Sequence, residues 1–170
     1  MQISREVQFT ISTEVEDALI TVLNHLVRAH KRPAEEGGFF IFGWECDGRF
    51  HVLHSEAVRD ADTDHHDMAL SLCQRLAPQA YAANSVVEDG QAGAIFRVIV
   101  PGSTLNVQKR EVACMVAFSG LGENTEACEA VAYLAIHRLE WITKIDESLV
   151  LKYNTLLREI VRSFKEDAMW

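Results

Sequence analysis

From Glu123 to Trp170 the chain contains neither glycine nor proline. Helix interiors exclude proline and disfavour glycine, so this whole segment is free to be helical. A single helix of that span would run roughly 70 Å at 1.5 Å per residue. A domain made of the preceding residues has a radius of gyration of only about 13–14 Å. The helix must therefore break, or project toward a partner. Steps of three and four pick out Cys128, Ala132, Ala135, Leu139, Ile142, Asp146, Leu149, Tyr153, Leu156 and Ile160, a heptad-like seam. Val131, Leu134 and Ile145 widen its first half into a face suited to packing on a sheet. In the second half, Leu149, Tyr153, Leu156, Ile160 and Phe164, with Leu157 and Val161, form a wide apolar stripe opposite Lys152, Arg158, Glu159, Arg162 and Lys165. A stripe that wide has to be covered. Asp146 interrupts the seam and is a candidate N-cap for a new helix, so a break is expected near residues 143–147. The expected division is a domain over 1–145 and a helical extension over 146–170. The extension either folds back or dimerises, with Leu149, Tyr153, Leu156, Ile160 and Phe164 as its interface.

The rest of the chain alternates helical and strand patterns. Val7, Phe9 and Ile11 alternate with polar residues and predict a short strand or extended arm. Thr13 and Glu16 fit a capping box, so a helix is predicted over about 14–31, ending before Pro33. Phe39–Glu45 and Arg49–His54 read as strands joined by Asp47-Gly48, a strong hairpin turn. Residues 55–63 read as an acidic loop, and a second helix starts near Asp64 and stops at Pro78. Residues 82–93 read as a weakly structured connection with room for an extra strand. Ala94–Val100 and Arg110–Phe118 read as a further strand pair. The predicted class is α+β: an antiparallel sheet of about five to six strands flanked by helices, with a long C-terminal helix.

Composition narrows the functional classes. The 170 residues carry a net charge of −9. An acidic surface repels phosphate backbones, and no basic cluster exceeds Lys31-Arg32 or Lys109-Arg110, so nucleic acid is not an expected partner. No run of 18 apolar residues exists, so no membrane insertion is expected. Met1-Gln2-Ile3-Ser4-Arg5 leads into polar sequence without an apolar signal core, and a cytoplasmic location is expected. Cys46, Cys73, Cys114 and Cys128 form no CxxC pair and read as reduced thiols.

Candidate site residues are few. Trp44 and His51 lie on the two hairpin strands, and Gly43, on the strand face of Phe39, Ile41 and Glu45, could admit a ligand ring or a close backbone approach. His51 and His54, three apart on one strand, are expected on opposite faces. Arg97 sits within Ile95-Phe96-Arg97-Val98-Ile99, where a charge is costly unless paired. It is expected to meet an acid, either a protein carboxylate or an anionic ligand. Trp44, His51 and Arg97 are therefore the candidate ligand pocket. His65 and His66 stand in an Asp-rich stretch and are weak metal candidates. Adjacent residues sit about 100° apart on a helix, and the i, i+4 spacing of zinc helices is missing. No nucleophile elbow, Walker loop or GxGxxG is present, and no catalytic residue is assigned.

The element order resembles the GAF domain, within the profilin-like group of sensor folds that includes PAS and roadblock modules. The resemblance rests on the helix before the Phe39–His54 hairpin, the middle helix before the last strand pair, Glu111-Val112-Ala113-Cys114-Met115-Val116, and Ala130–Ile142 with Leu139-Glu140-Trp141. It covers about residues 12–145. It implies a sheet with a small-molecule pocket on one face and dimerisation through terminal helices. The Asn-Lys…Phe…Asp-Glu signature of the cyclic-nucleotide-binding members and the Cys-His pair of bilin-binding relatives are absent. The expected function is small-ligand sensing or signal relay by a homodimer without catalytic activity, with no cofactor specified. The alternative, from another class, is a ligand-free interaction scaffold or acidic chaperone-like protein.

Overall fold

A computed structural model describes residues 2–79, 83–143 and 152–168. The chain is α+β: among the described residues, a five-stranded antiparallel sheet is flanked by four helices. The elements are α1 (Arg5–Arg28), β1 (Gly38–Cys46), β2 (Arg49–Val58), α2 (Thr63–Leu76), β3 (Ala83–Glu88), β4 (Gln91–Pro101), β5 (Glu111–Gly120), α3 (Thr125–Arg138) and α4 (Thr155–Ala168). A 3-10 turn, Gly102–Leu105, follows β4. The strand order is β2-β1-β5-β4-β3, and every neighbouring pair is antiparallel. Among the described residues, no helix is long and apolar enough to cross a membrane.

The sheet separates two apolar clusters. On one side, Ile41, Ile95, Met115 and Ala117 meet Met68, Leu72, Cys73 and Leu76 of α2. On the other, Phe40, Phe42, Phe96, Val98, Val116 and Phe118 meet α1 and α3. Period-two alternation in the strands produces this division, because successive side chains point to opposite faces.

The first helix begins earlier than the sequence pattern predicts. Residues 5–11 belong to α1, not to a strand. Ser4 is the N-cap and accepts from the Val7 amide at 3.2 Å. Thr13, expected as the cap, is interior, and its hydroxyl donates to the Phe9 carbonyl at 3.0 Å. The alternation of Val7, Phe9 and Ile11 is a short-range coincidence. The period that decides the structure runs through the buried Ile3, Ile11, Val15, Leu19, Val22 and Leu26.

The Asp47-Gly48 hairpin forms, with φ of 52° and 72° at the two turn residues, as a type I′ turn requires. Asp89-Gly90 repeats the device with φ of 50° and 75°, so the expected weak connection becomes the β3–β4 hairpin. Residues 55–58, expected in a loop, continue β2 by pairing with Gly38–Ile41. Asp62 caps α2 by accepting from the Asp64 amide at 3.2 Å.

The terminal helix breaks before Asp146. Asn124 caps α3, and the helix ends at Leu139, which has φ −81° and ψ 93°. Leu139 is buried, and Trp141 packs edge-on against Phe42 with ring centroids 5.7 Å apart. The Thr143 amide donates to the Ile99 carbonyl at 2.9 Å. The sheet end thus draws these residues away from the helical path. Asp146, the expected cap, lies outside the described residues.

Cys128, Ala130, Val131, Ala132, Tyr133, Leu134, Ala135 and Ile136 of α3 are all buried. A helix apolar on every side has to be covered on every side. The sheet and α1 cover part of it, and α4 covers more. Leu156, Leu157 and Ile160 of α4 join the same cluster as the sheet side chains. Asn154 fastens the start of α4. Its Oδ1 accepts from the Leu157 amide at 2.8 Å, and its Nδ2 donates to the Glu126 carbonyl at 3.0 Å and to Glu129 Oε1 at 2.9 Å.

Candidate functional site

The three residues expected to line one pocket do not converge. Trp44 and His51 pair across β1 and β2 and stack, with centroids 5.1 Å apart and planes 29° apart. Trp44 packs on the α1/α3 side of the sheet. Arg97 lies on the opposite, α2 side, with its neighbour Ile95. There it meets a protein acid. Its guanidinium forms an ion pair with Glu45 and donates to the carbonyls of Leu76, at 2.9 Å, and Gln79 at the end of α2. The Leu76 carbonyl, left open at the C-terminus of α2, thereby gains a charged donor. Gly43 leaves room for protein rather than ligand: a Cβ there would lie 2.3 Å from the His51 carbonyl oxygen and 2.4 Å from the Phe50 ring.

His51 and His54 share a face, against the expectation from period two. The β1–β2 register shifts between Phe42 and Gly43: Phe42 pairs with His54, but Gly43 pairs with Val52. Leu53 is the extra residue of a bulge, and a bulge re-aims every side chain beyond it. His54 Nε2 lies 2.8 Å from Glu56 Oε2, and the Ser12 hydroxyl of α1 donates to the same carboxylate.

His65 and His66 part company in the structure. His65 is buried, with Nε2 2.5 Å from Glu35 Oε2 and Nδ1 3.2 Å from Ser119 Oγ. Ser119 donates its own proton to the Ala92 carbonyl at 2.8 Å. This chain ties the first turn of α2 to β5, to β4 and to the segment before β1. Ser119 is fully buried with its proton already placed, so the arrangement is a structural latch rather than a nucleophile and base. His66 instead meets the edge of Phe39, with centroids 4.8 Å apart. Among the described residues, no group of three or more His, Cys, Asp or Glu side chains could hold a metal ion.

The thiols are equally committed. Burial pushes Cys73 well up, and pushes Cys114 up to about 12. Cys128 also rises to about 12 by burial, partly offset by a backbone hydrogen bond at Gly120. A thiol this far above neutrality supplies almost no thiolate.

Among the described residues, three concavities of comparable size stand beside a smaller one of about 220 Å³ between α1 and α4. One, of about 390 Å³, is lined by Asp64, Asp67, Glu88 and Asp89. A second, of about 350 Å³, lies among the ends of α1, α3 and α4 and is flanked by Lys31, Glu126 and Glu159. The third, of about 370 Å³, lies between α3 and α4. Its walls are Tyr133, Leu134, Val161 and Phe164, and its rim is His137, Arg138 and Lys165. The Tyr133 ring leans on Phe96 beneath it and meets His137 edge-on at 5.4 Å. The Arg138 guanidinium carbon sits 6.0 Å from the centre of the Phe164 ring, within cation–π range. Small-molecule sites are mostly apolar concavities of about 300–1,000 Å³ with a few fixed polar groups. The α3/α4 groove has that make-up, and the other two are dominated by carboxylates or open polar edges. It is the candidate functional site.

Of the residues expected at an interface, Phe164 lines this groove and is 40% exposed, and Tyr153 is 67% exposed. Leu156 and Ile160 are buried within the chain itself, so they are not available to a second protomer while α4 is in place. Leu149 lies outside the described residues. The pattern of Leu156, Leu157, Ile160, Val161 and Phe164 was the signal that α4 needed cover. That Tyr133, His137 and Arg138 would face it depends on how α4 crosses α3, which no local pattern encodes.

The chain matches no family model, and it has no significant match among curated proteins or solved structures.

Proposed function

We propose that the chain is a small-ligand-binding regulatory module without catalytic activity, and that its ligand sits between α3 and α4 rather than on the sheet. The observation that carries this reading is the α3/α4 groove, whose apolar walls and cationic rim are drawn from two different helices. The GAF-like element order supports the same class of role. Val161, Phe164 and Lys165 of α4 border the groove, so a ligand would contact α4 directly and favour one packing of that helix over another. The outward face of α4, with Arg158, Glu159 and Arg162, then offers the changed surface to a second copy in a homodimer or to a separate protein. A thermal-shift screen with small aromatic and aliphatic compounds tests the reading. A ligand at about 100 times its Kd should stabilise the fold by about 2.7 kcal/mol. For a chain of this size that is a rise of roughly 5–10 °C in Tm. Val161→Trp, which fills the groove, should abolish the rise. A rise that survives this change would place the ligand elsewhere.

A second reading, a ligand-free interaction scaffold, is favoured by Phe9 of α1 and by Tyr153, which are 73% and 67% exposed. Light scattering separates the two. A scaffold that assembles through these residues should lose mass on Phe9→Ser with Tyr153→Ser, with or without any ligand.

A further inference from the structure

We propose that the ligand of the α3/α4 groove is an aromatic carboxylate: a flat apolar body with one anionic group at its edge. The inference rests on the reading of this groove as the ligand site, and it concerns what the rim selects. Two rings, Tyr133 and Phe164, stand on opposite helices across the opening. Aromatic side chains favour offset or edge-on contact with another ring, so a flat body suits the space between them.

The charge at the rim is the more selective feature. The chain carries a net charge of −9. Arg32 and Arg59 pair with Glu36, Arg75 with Glu88, and Arg97 with Glu45. Among the described residues, Arg138 and Lys165 make no ion pair, as is also true of exposed cations such as Arg28 and Arg158, but Arg138 and Lys165 both border an apolar groove, with Arg138 over an aromatic ring. Both are in the last turns of their helices, where a cation offsets the C-terminal partial charge. That accounts for their position along each helix. It does not account for both facing one apolar groove from different helices. A guanidinium presents a planar fork that matches a carboxylate in two parallel hydrogen bonds, and an ammonium adds a point charge beside it. A carboxylate at the rim would therefore bridge α3 to α4, coupling the ligand's charge to the position of α4.

The test compares two probes of the same shape on the full chain by titration calorimetry: 1-naphthaleneacetate and its neutral amide, 1-naphthaleneacetamide. The acid should bind roughly tenfold or more tightly than the amide, as expected for hydrogen bonds to a charged group. Arg138→Met with Lys165→Met keeps the apolar stems and should erase that preference. Arg32→Met, which removes a cation far from the groove, should leave the preference intact. Equal binding of the two probes, both lost in Val161→Trp, would overturn the anion inference and leave the groove reading standing. Binding of neither probe, or binding unaffected by Val161→Trp in a variant with an unchanged melting curve, would overturn the proposal together with the groove reading beneath it.

Discussion

Arg97 and Arg138 are both arginines against apolar surroundings, and they live in opposite circumstances. Arg97, on the α2 side of the sheet, is spent on Glu45 and on carbonyls at the end of α2. His65, on the same side, is spent on Glu35 and Ser119. Among the described residues, no buried side-chain polar atom lacks a partner. On the α3/α4 side, Arg138 faces a ring and an open groove. A polar group that completes its bonds inside the protein holds the fold together. A cation held beside an apolar concavity, with no acid to answer it among the described residues, is available to a ligand.

This contrast can be broken by substitution. The largest effect is expected at the joint between α4 and the core. Leu157→Ala should destabilise the chain by about 3 kcal/mol, within the range for truncating a fully buried leucine, as read from urea unfolding. The same variant should weaken ligand binding, because α4 forms one wall of the groove. Next comes Arg97→Met. It leaves the Glu45 carboxylate without its partner in a site where both side chains are only about a fifth exposed. A loss of about 2–3 kcal/mol is expected, somewhat below the range for fully buried pairs. Arg97→Met with Glu45→Leu should recover most of it. If Arg97→Met is silent, the α2 side is not the closed structural half described here.

Asn154→Ala is expected to cost about 1–2 kcal/mol through the lost cap and the lost bonds to α3. Smaller still is Arg138→Met, which should stay within about 0.5 kcal/mol of the parent in stability, as partly exposed rim residues do. An equal cost for Arg97→Met and Arg138→Met would erase the contrast between the two regions.

The thiols give a pH test. Cys114 and Cys128 are raised in the folded state from an ordinary value of 9.0 to about 12. A raised value means the native state holds the proton more tightly than the unfolded chain. Their contribution is therefore fully present below about pH 9 and is lost as pH rises toward about 12. Stability should be insensitive to these groups through neutrality and fall steeply above pH 9. A thiol reagent at pH 8 should label Cys46 readily and the three buried thiols only in denaturant.

Much of the architecture was legible in the sequence because local chemistry and tertiary packing agreed. Asp47-Gly48 fixed one hairpin, Pro78 limited α2, and alternation in Ala94–Val100 and Arg110–Phe118 separated the two sheet faces. Three features were not, each because a distant contact overrode a local pattern. Val7, Phe9 and Ile11 alternate, but the longer period that buries Ile11 against the sheet wins. Leu139 ends a helix with no glycine or proline nearby, because the sheet end buries it with Trp141. The Leu53 bulge brings His51 and His54 to one face, and a bulge has no sequence mark of its own. The second Asp-Gly pair, at Asp89-Gly90, was the same signal as the first, and it marks the β3–β4 hairpin. The groove itself was only half visible: the α4 stripe announced a need for cover, and the crossing of α4 over α3 decided what the cover would leave open.

The central claim is that ligand occupies the helical groove and not the sheet. Methyl-labelled NMR of the full chain, titrated with 1-naphthaleneacetate, tests it most directly. The expected result is saturable shifts at Leu134 and Val161, with Ile41 and Ile95 on the α2 side of the sheet unmoved. Saturable shifts at Ile41 and Ile95 with Leu134 and Val161 unmoved would contradict it.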